Sequence, residues 1–240
     1  MYAYAAEVYG DDWIEEIYGG NEEAADPEPE AELSLALQRY FAFNYNECVL
    51  FVSTIFAAGG WDAVDALYDD PPRSTEAILH PDRYLNNQDI GSIVPLPELH
   101  EKLEGWERLS LLPFGEFDLL VYLSTLLEDE AVAEVAASGW DGGRSAIYTR
   151  EKEDGGQNVL VHIAMGFDSP VSHLVFLNAF EDITAAYTEP FDPEAVRSVR
   201  WTEEAAFGAA WWDPSVRRFD LLIGDDEDAV TAAAEAAGAP

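Results

Sequence analysis

Hydrophobic positions recur at helical spacing through the first half of the chain and at alternating spacing through the second. In residues 1–20, Tyr2, Val8, Trp13, Ile14, Ile17 and Tyr18 form the apolar set of a helix. Asn21 to Glu30, with two prolines, reads as a solvated loop. A helix restarts at Ala31, where Leu33, Leu37, Tyr40 and Phe41 keep the i, i+4, i+7, i+8 spacing. Asn44 to Asn46 interrupts it before a buried helix, Cys48 to Ala58. A Gly59-Gly60 turn then opens another helix, with Trp61, Val64, Leu67 and Tyr68 on one face, and Pro71-Pro72 stops it. Ser74 or Thr75 caps a short turn that ends near His80, because the residue before Pro81 avoids the α region.

A polar linker surrounds Asn86 to Ser92, and a short helix is expected over Pro97 to Leu103. Glu107 to Leu112 has the composition of a strand. Gly115-Glu116-Phe117 leads into an apolar helix through Leu127, followed by a second helix, Asp129 to Ala137. Gly139-Trp140-Asp141-Gly142-Gly143 reads as a turn. Beyond it the period becomes two: Ser145 to Arg150 and Val159 to Met165 form one hairpin, Ala209 to Trp212 and Arg218 to Ile223 another. Asp168-Ser169-Pro170 starts a helix between them, with Phe176, Phe180, Ile183 and Tyr187 on its apolar face. Acids at Asp225 to Asp228 suit the start of a terminal helix. The expected fold is α+β: a helical N-terminal half followed by a four-stranded antiparallel sheet with helices on one face, in the order β-β-α-β-β-α. Residues 1–140 form the helical region and 141–240 the antiparallel region, with one continuous domain as the alternative.

Composition changes the picture in one respect. Forty-eight acids face 12 Lys and Arg in 240 residues, a net charge of −36, yet 48% of the residues are hydrophobic. A disordered acidic chain would lack those side chains, so the charge reads as the surface of a folded halophilic protein that requires high salt for stability. The same charge excludes nucleic acid, whose phosphates call for many Lys and Arg. It also disfavours an anionic membrane surface. The longest uncharged stretch, Cys48 to Trp61, has 14 residues, short of the roughly 20 that span a bilayer. Cys48, the single cysteine, allows no internal disulfide and reads as a buried small side chain. No basic n-region opens the chain.

The run Gly59-Gly60-Trp61 through Pro71-Pro72-Arg73-Ser74-Thr75-Glu76-Ala77-Ile78-Leu79-His80-Pro81-Asp82-Arg83-Tyr84 resembles a haloarchaeal surface-protein family related to zincin-like metallopeptidases. Gly115-Glu116-Phe117 and Gly139-Trp140-Asp141-Gly142-Gly143 keep that family's order, and the resemblance covers about Leu33 to Asp182. It implies a cell-surface or secreted protein, with cytoplasmic residence as the alternative suggested by the start of the chain. Zincin chemistry needs His-Glu-x-x-His, which puts two imidazoles on one helix face beside a general base. The four histidines, His80, His100, His162 and His173, form no such pair. The expectation is therefore a non-enzymatic structural or interaction protein, with no cofactor and no metal, whose partner is an envelope protein. The alternatives are the C-terminal part of a zinc peptidase lacking its catalytic helix, and a cytosolic binding module.

Five residues are candidates for a polar groove: Glu47, Glu76, His80, Tyr84 and Glu116. Each has a structural reading beside the functional one, since His80 to Tyr84 can be a proline-fixed corner and Glu116 a helix-start acid. His162, in an apolar strand, reads as a core residue. Trp211 and Trp212 must point to opposite faces of their strand, one into the core and the other toward a contact surface. Asp225 to Asp228 could attract calcium or magnesium but lack EF-hand spacing.

Overall fold

The computed structural model describes residues 33–86, 91–203 and 206–240. The helix expected over residues 1–20 and the loop after it lie outside the described residues. Ser34 caps the first helix, α1 (Leu35–Phe43), and α2 (Glu47–Ala66) follows. Gly59 and Gly60 leave helical geometry inside α2, Gly60 with φ 66° and ψ −158°, so the expected Gly-Gly turn forms as a sharp break. Two short helices come next, α3 (Thr75–Leu79), capped by Ser74, and α4 (Pro81–Leu85), with Pro81 in its first turn. A single 3-10 turn, Leu99–Glu101, stands where a short helix was expected.

Strand β1 (Glu107–Pro113) precedes α5 (Glu116–Leu126) and α6 (Glu130–Ala137). The long hairpin β2 (Trp140–Glu151) and β3 (Gln157–Phe167) leads to α7 (Pro170–Thr184). Ser169 caps α7 from its expected position ahead of Pro170. Then come β4 (Ser198–Glu203), β5 (Ala206–Asp213), β6 (Arg218–Gly224) and α8 (Glu227–Ala237), which Asp226 caps.

The architecture is α+β with a helical first half and an antiparallel sheet, but the sheet has six strands in the order β1-β2-β3-β6-β5-β4 rather than the four expected. The two additional strands are its edges. β1 adds to β2 through Leu111 opposite Ala146, and β4 adds to β5 through Trp201 opposite Gly208. Glu107 to Leu112 was expected as a strand but outside the sheet, while β4 carries a weak signal because only one side of its backbone is paired and little of its surface is buried. Trp140 to Gly143, expected as a turn, is the start of β2, where a bulge leaves Asp141 unpaired between Trp140 and Gly142.

Helices cover both faces of the sheet instead of one. On the first face α5, α6 and α7 bury Leu119, Leu123, Phe176 and Phe180 against Met165, Phe167, Trp212 and Phe219. Phe219 meets Phe176 and Phe180 edge-on at 4.8 and 4.9 Å, a geometry worth about 0.5–1.5 kcal/mol per pair beyond area burial. On the second face α8 and the 3-10 turn close over Ala146, Tyr148, Leu160, Trp211 and Leu222. Trp211 and Trp212 do point to opposite faces, and because both faces are covered both rings are buried. His162 is a core residue as expected. It donates to Asp220 at 2.9 Å, and Arg218 also holds that carboxylate with two bonds of 2.6 and 2.7 Å. Burial pushes the Asp220 pKa up, but the bonds from Arg218 and His162 outweigh it and leave the carboxyl below its usual range.

The first core cluster draws side chains from both sides of residue 140. Cys48 to Ala58, expected as a buried helix, is not one: Phe51 and Ile55 are its buried side chains, while Val49, Leu50, Val52 and Phe56 are exposed. The run Leu35–Ala66 is long and apolar enough, by length and composition alone, to cross a membrane. Arg39, Glu47, Asp62 and Asp65 lie inside that run, and the non-helical pair Gly59-Gly60 divides it.

Candidate functional site

The double proline and the capped turn after it form one wall of a cleft of about 440 Å³. Ser74 accepts from the Ala77 N–H at 3.2 Å, which fixes the start of α3. Thr75, one residue on, accepts from the Phe117 N–H at 3.1 Å and so pins α3 to the first turn of α5. The opposite wall is the start of α5 and the glycine-rich start of β2. There Asp118 accepts the Gly115 N–H and the Tyr40 hydroxyl, each at 2.6 Å. Gly142, at φ 144°, lets β2 pass so close to Ser92 that a Cβ would stand 2.0 Å from the Ser92 carbonyl oxygen. The indole N–H of Trp140 lies buried in the wall, without a hydrogen-bond partner among the described residues.

Four of the five groove candidates gather on this side of the fold, but as closed pairs. His80 Nε2 donates to Glu116 Oε1 at 2.8 Å across the α3–α5 contact. Arg83 donates to Glu76, which is fully buried, and reaches the Ser138 carbonyl at 3.4 Å. The Tyr84 hydroxyl donates to the Asp70 carbonyl at 2.5 Å, and its ring meets Phe51 edge-on at 5.4 Å. Burial, then Asp70, pushes the Tyr84 phenol up. These bonds tie α2, α3, α4 and α5 together at the proline-fixed corner. Glu116 is more than a helix-start acid, because it stands buried at the first position of α5 and receives His80 there.

Glu47 does not join them. It opens α2, apart from the other four, and its Oε2 is buried without a hydrogen-bond partner among the described residues. Burial, then Glu47, pushes the Cys48 thiol up, which leaves it a poor nucleophile.

Of the candidates, Tyr84 lines the cleft itself; Arg73, Arg83, Thr75, Asp118 and Trp140 line it beside Tyr84. Arg73 and Arg83 carried a usable signal, since two of only 12 basic residues fall within one motif of an acidic chain. Asp118 and Trp140 carried none, because their approach depends on how α5 and β2 pack. The arrangement can bind a small polar group through hydroxyls and guanidinium groups. Among the described residues no three His, Cys, Asp or Glu side chains converge as metal ligands. Asp225 and Asp226 serve local structure: Asp225 accepts from Lys152 at 2.9 Å and the Val159 N–H at 2.8 Å, and Asp226 caps α8. Comparison with family models, with curated proteins and with solved structures finds no match.

Proposed function

We propose that the chain is a non-enzymatic interaction protein of a high-salt cell envelope, and that it works by self-association through the outer face of α1 and α2. The observation that carries this reading is the exposure of nine large hydrophobic side chains on α1 and α2. Exposed apolar surface of that extent marks interaction sites in soluble proteins. With each side chain leaving about half of a roughly 200 Å² surface in water, the face offers on the order of 1,000 Å², above the roughly 800 Å² per partner of a standard interface. The uncharged stretch Cys48 to Trp61 lets two chains of charge −36 meet there without opposing carboxylates. In multimolar salt a Debye length of about 3 Å or less screens the remainder. The envelope location is supported by the resemblance carried by the Gly59 to Tyr84 run.

Light scattering coupled to size exclusion in multimolar KCl tests the reading. The expected mass is twice 26.5 kDa for the native chain, falling to the single-chain value when Leu50→Glu and Phe56→Glu are combined. A native chain that stays at 26.5 kDa over the micromolar range overturns it.

A further inference from the structure

A second cleft, of about 650 Å³, opens on the other side of α5, between that helix, the end of α7 and the β4–β5 edge. Three aromatic rings stand in its walls, Tyr122 from α5, Tyr187 from the turn after α7 and Trp201 from β4. The Trp201 ring lies flat on the sheet because its cross-strand partner is Gly208, where a Cβ would come within 2.1 Å of the indole. The indole is thus seated on backbone, packs against Phe180 with centroids 5.9 Å apart and ring planes at 66°, and lines the cleft.

The Tyr122 hydroxyl makes no hydrogen bond among the described residues, and burial, then Glu203, pushes its pKa up, so it stays a neutral phenol at the wall. Glu203 accepts from the Tyr187 hydroxyl at 2.7 Å and so is held at the cleft rim. Glu128, Asp129 and Asp182 also line the cleft, and among the described residues no Lys, Arg or His does.

A negative potential over aromatic faces selects a cation. The walls also select which kind of cation. The four carboxylates do not converge as ligands for a metal ion. Leu126, Leu127, Val132 and Ile183 fill the remaining wall with hydrocarbon that a hydrated inorganic ion gains nothing by touching. A cation that carries its own apolar coat loses little water on entering and keeps both the ring faces and the carboxylate. We propose that this cleft binds an alkylated organic ammonium ion, its head group seated on Trp201 and Tyr122 with Glu203 as the counter-charge.

Titration of the full chain with choline in multimolar KCl, followed by calorimetry and by tryptophan fluorescence, tests the proposal. Its uncharged isostere, in which tert-butyl replaces trimethylammonium, separates charge from shape. Choline is expected to saturate a single site and to bind about tenfold or more tightly than the isostere, the size of one or two cation–π contacts. Trp201→Leu and Glu203→Gln are each expected to weaken choline by about tenfold with an unchanged circular dichroism spectrum. Glu203→Gln keeps the shape of the cleft, so it remains informative should the tryptophan variant fold poorly. Equal binding of choline and the isostere, no saturation by either, or displacement of choline by calcium at equal concentration would each overturn the proposal.

Discussion

Acidification should destabilise this protein through His173, and the size of the effect follows from where α7 places it. The ring is 1% exposed and stacked on Phe167 with centroids 5.1 Å apart, and its Nε2 has no hydrogen-bond partner among the described residues. Burial lowers its pKa from 6.5 to about 4; Asp213 opposes the shift, while Arg197 and Arg217 add to it. The folded pKa of this base is depressed, so between pH 6.5 and about 4 the unfolded chain binds the extra proton. The neutral ring's contribution is therefore complete above pH 6.5 and declines as the pH falls through that window. The loss amounts to about 2 kcal/mol by pH 5 and about 3 kcal/mol by pH 4. The 48 acids titrate nearby and shift stability themselves, so a difference isolates the histidine. Urea unfolding of the native chain and of His173→Leu, at pH 7.5 and pH 5 in the same high salt, should show the native chain losing about 2 kcal/mol more than the variant. Equal losses in the two proteins would refute the assignment of a buried neutral imidazole.

Two further outcomes are expected. Gly142→Ala places a Cβ 2.0 Å from the Ser92 carbonyl at a φ of 144°, so strain and backbone overlap add to about 3 kcal/mol or more. For a chain of this size that is a fall of about 6–12 °C in Tm by differential scanning calorimetry, and a loss under 1 kcal/mol would mean that β2 does not pass Ser92 this closely. With a net charge of −36, dialysis from multimolar KCl to millimolar salt should loosen or unfold the chain, read by circular dichroism and tryptophan fluorescence. Identical spectra at the two extremes would remove salt from the account of its stability.

The helical half was legible where backbone chemistry is local. Pro71-Pro72, Ser74 and the Ser169-Pro170 pair act on their immediate neighbours, so α3 and α7 begin where capping rules place them. The sheet was legible in its centre, where β2, β3, β5 and β6 carry alternating apolar residues; β1 was legible as a strand but not as part of the sheet, and β4 was missed. Residues covered on both faces also misled. Trp211 and Trp212 cannot show by alternation that helices close over both of them. For the candidate site, the His80 to Tyr84 corner could be read because its residues are adjacent. Its buried partner Glu116 was named, but the pairing of that carboxylate with His80 spans 36 residues and follows only from packing. The aromatic cleft was missed entirely, since Tyr122, Tyr187 and Trp201 come from three elements and share no spacing.

The order β1-β2-β3-β6-β5-β4 also dictates how the chain must be made. The strand that completes the middle of the sheet, Arg218–Gly224, is the last of the six described strands to leave the ribosome. Until it arrives, the first three strands are a finished meander whose β3 side is open, with Val161 and Ile163 at a border that later pairs with Ile223 and Leu221. An open, apolar strand edge is a template for any other chain. Nascent chains on neighbouring ribosomes are therefore most vulnerable to one another in the interval between synthesis of β3 and β6. Synthesis rate and chaperone cover in that interval are therefore expected to affect the yield of correctly closed sheet.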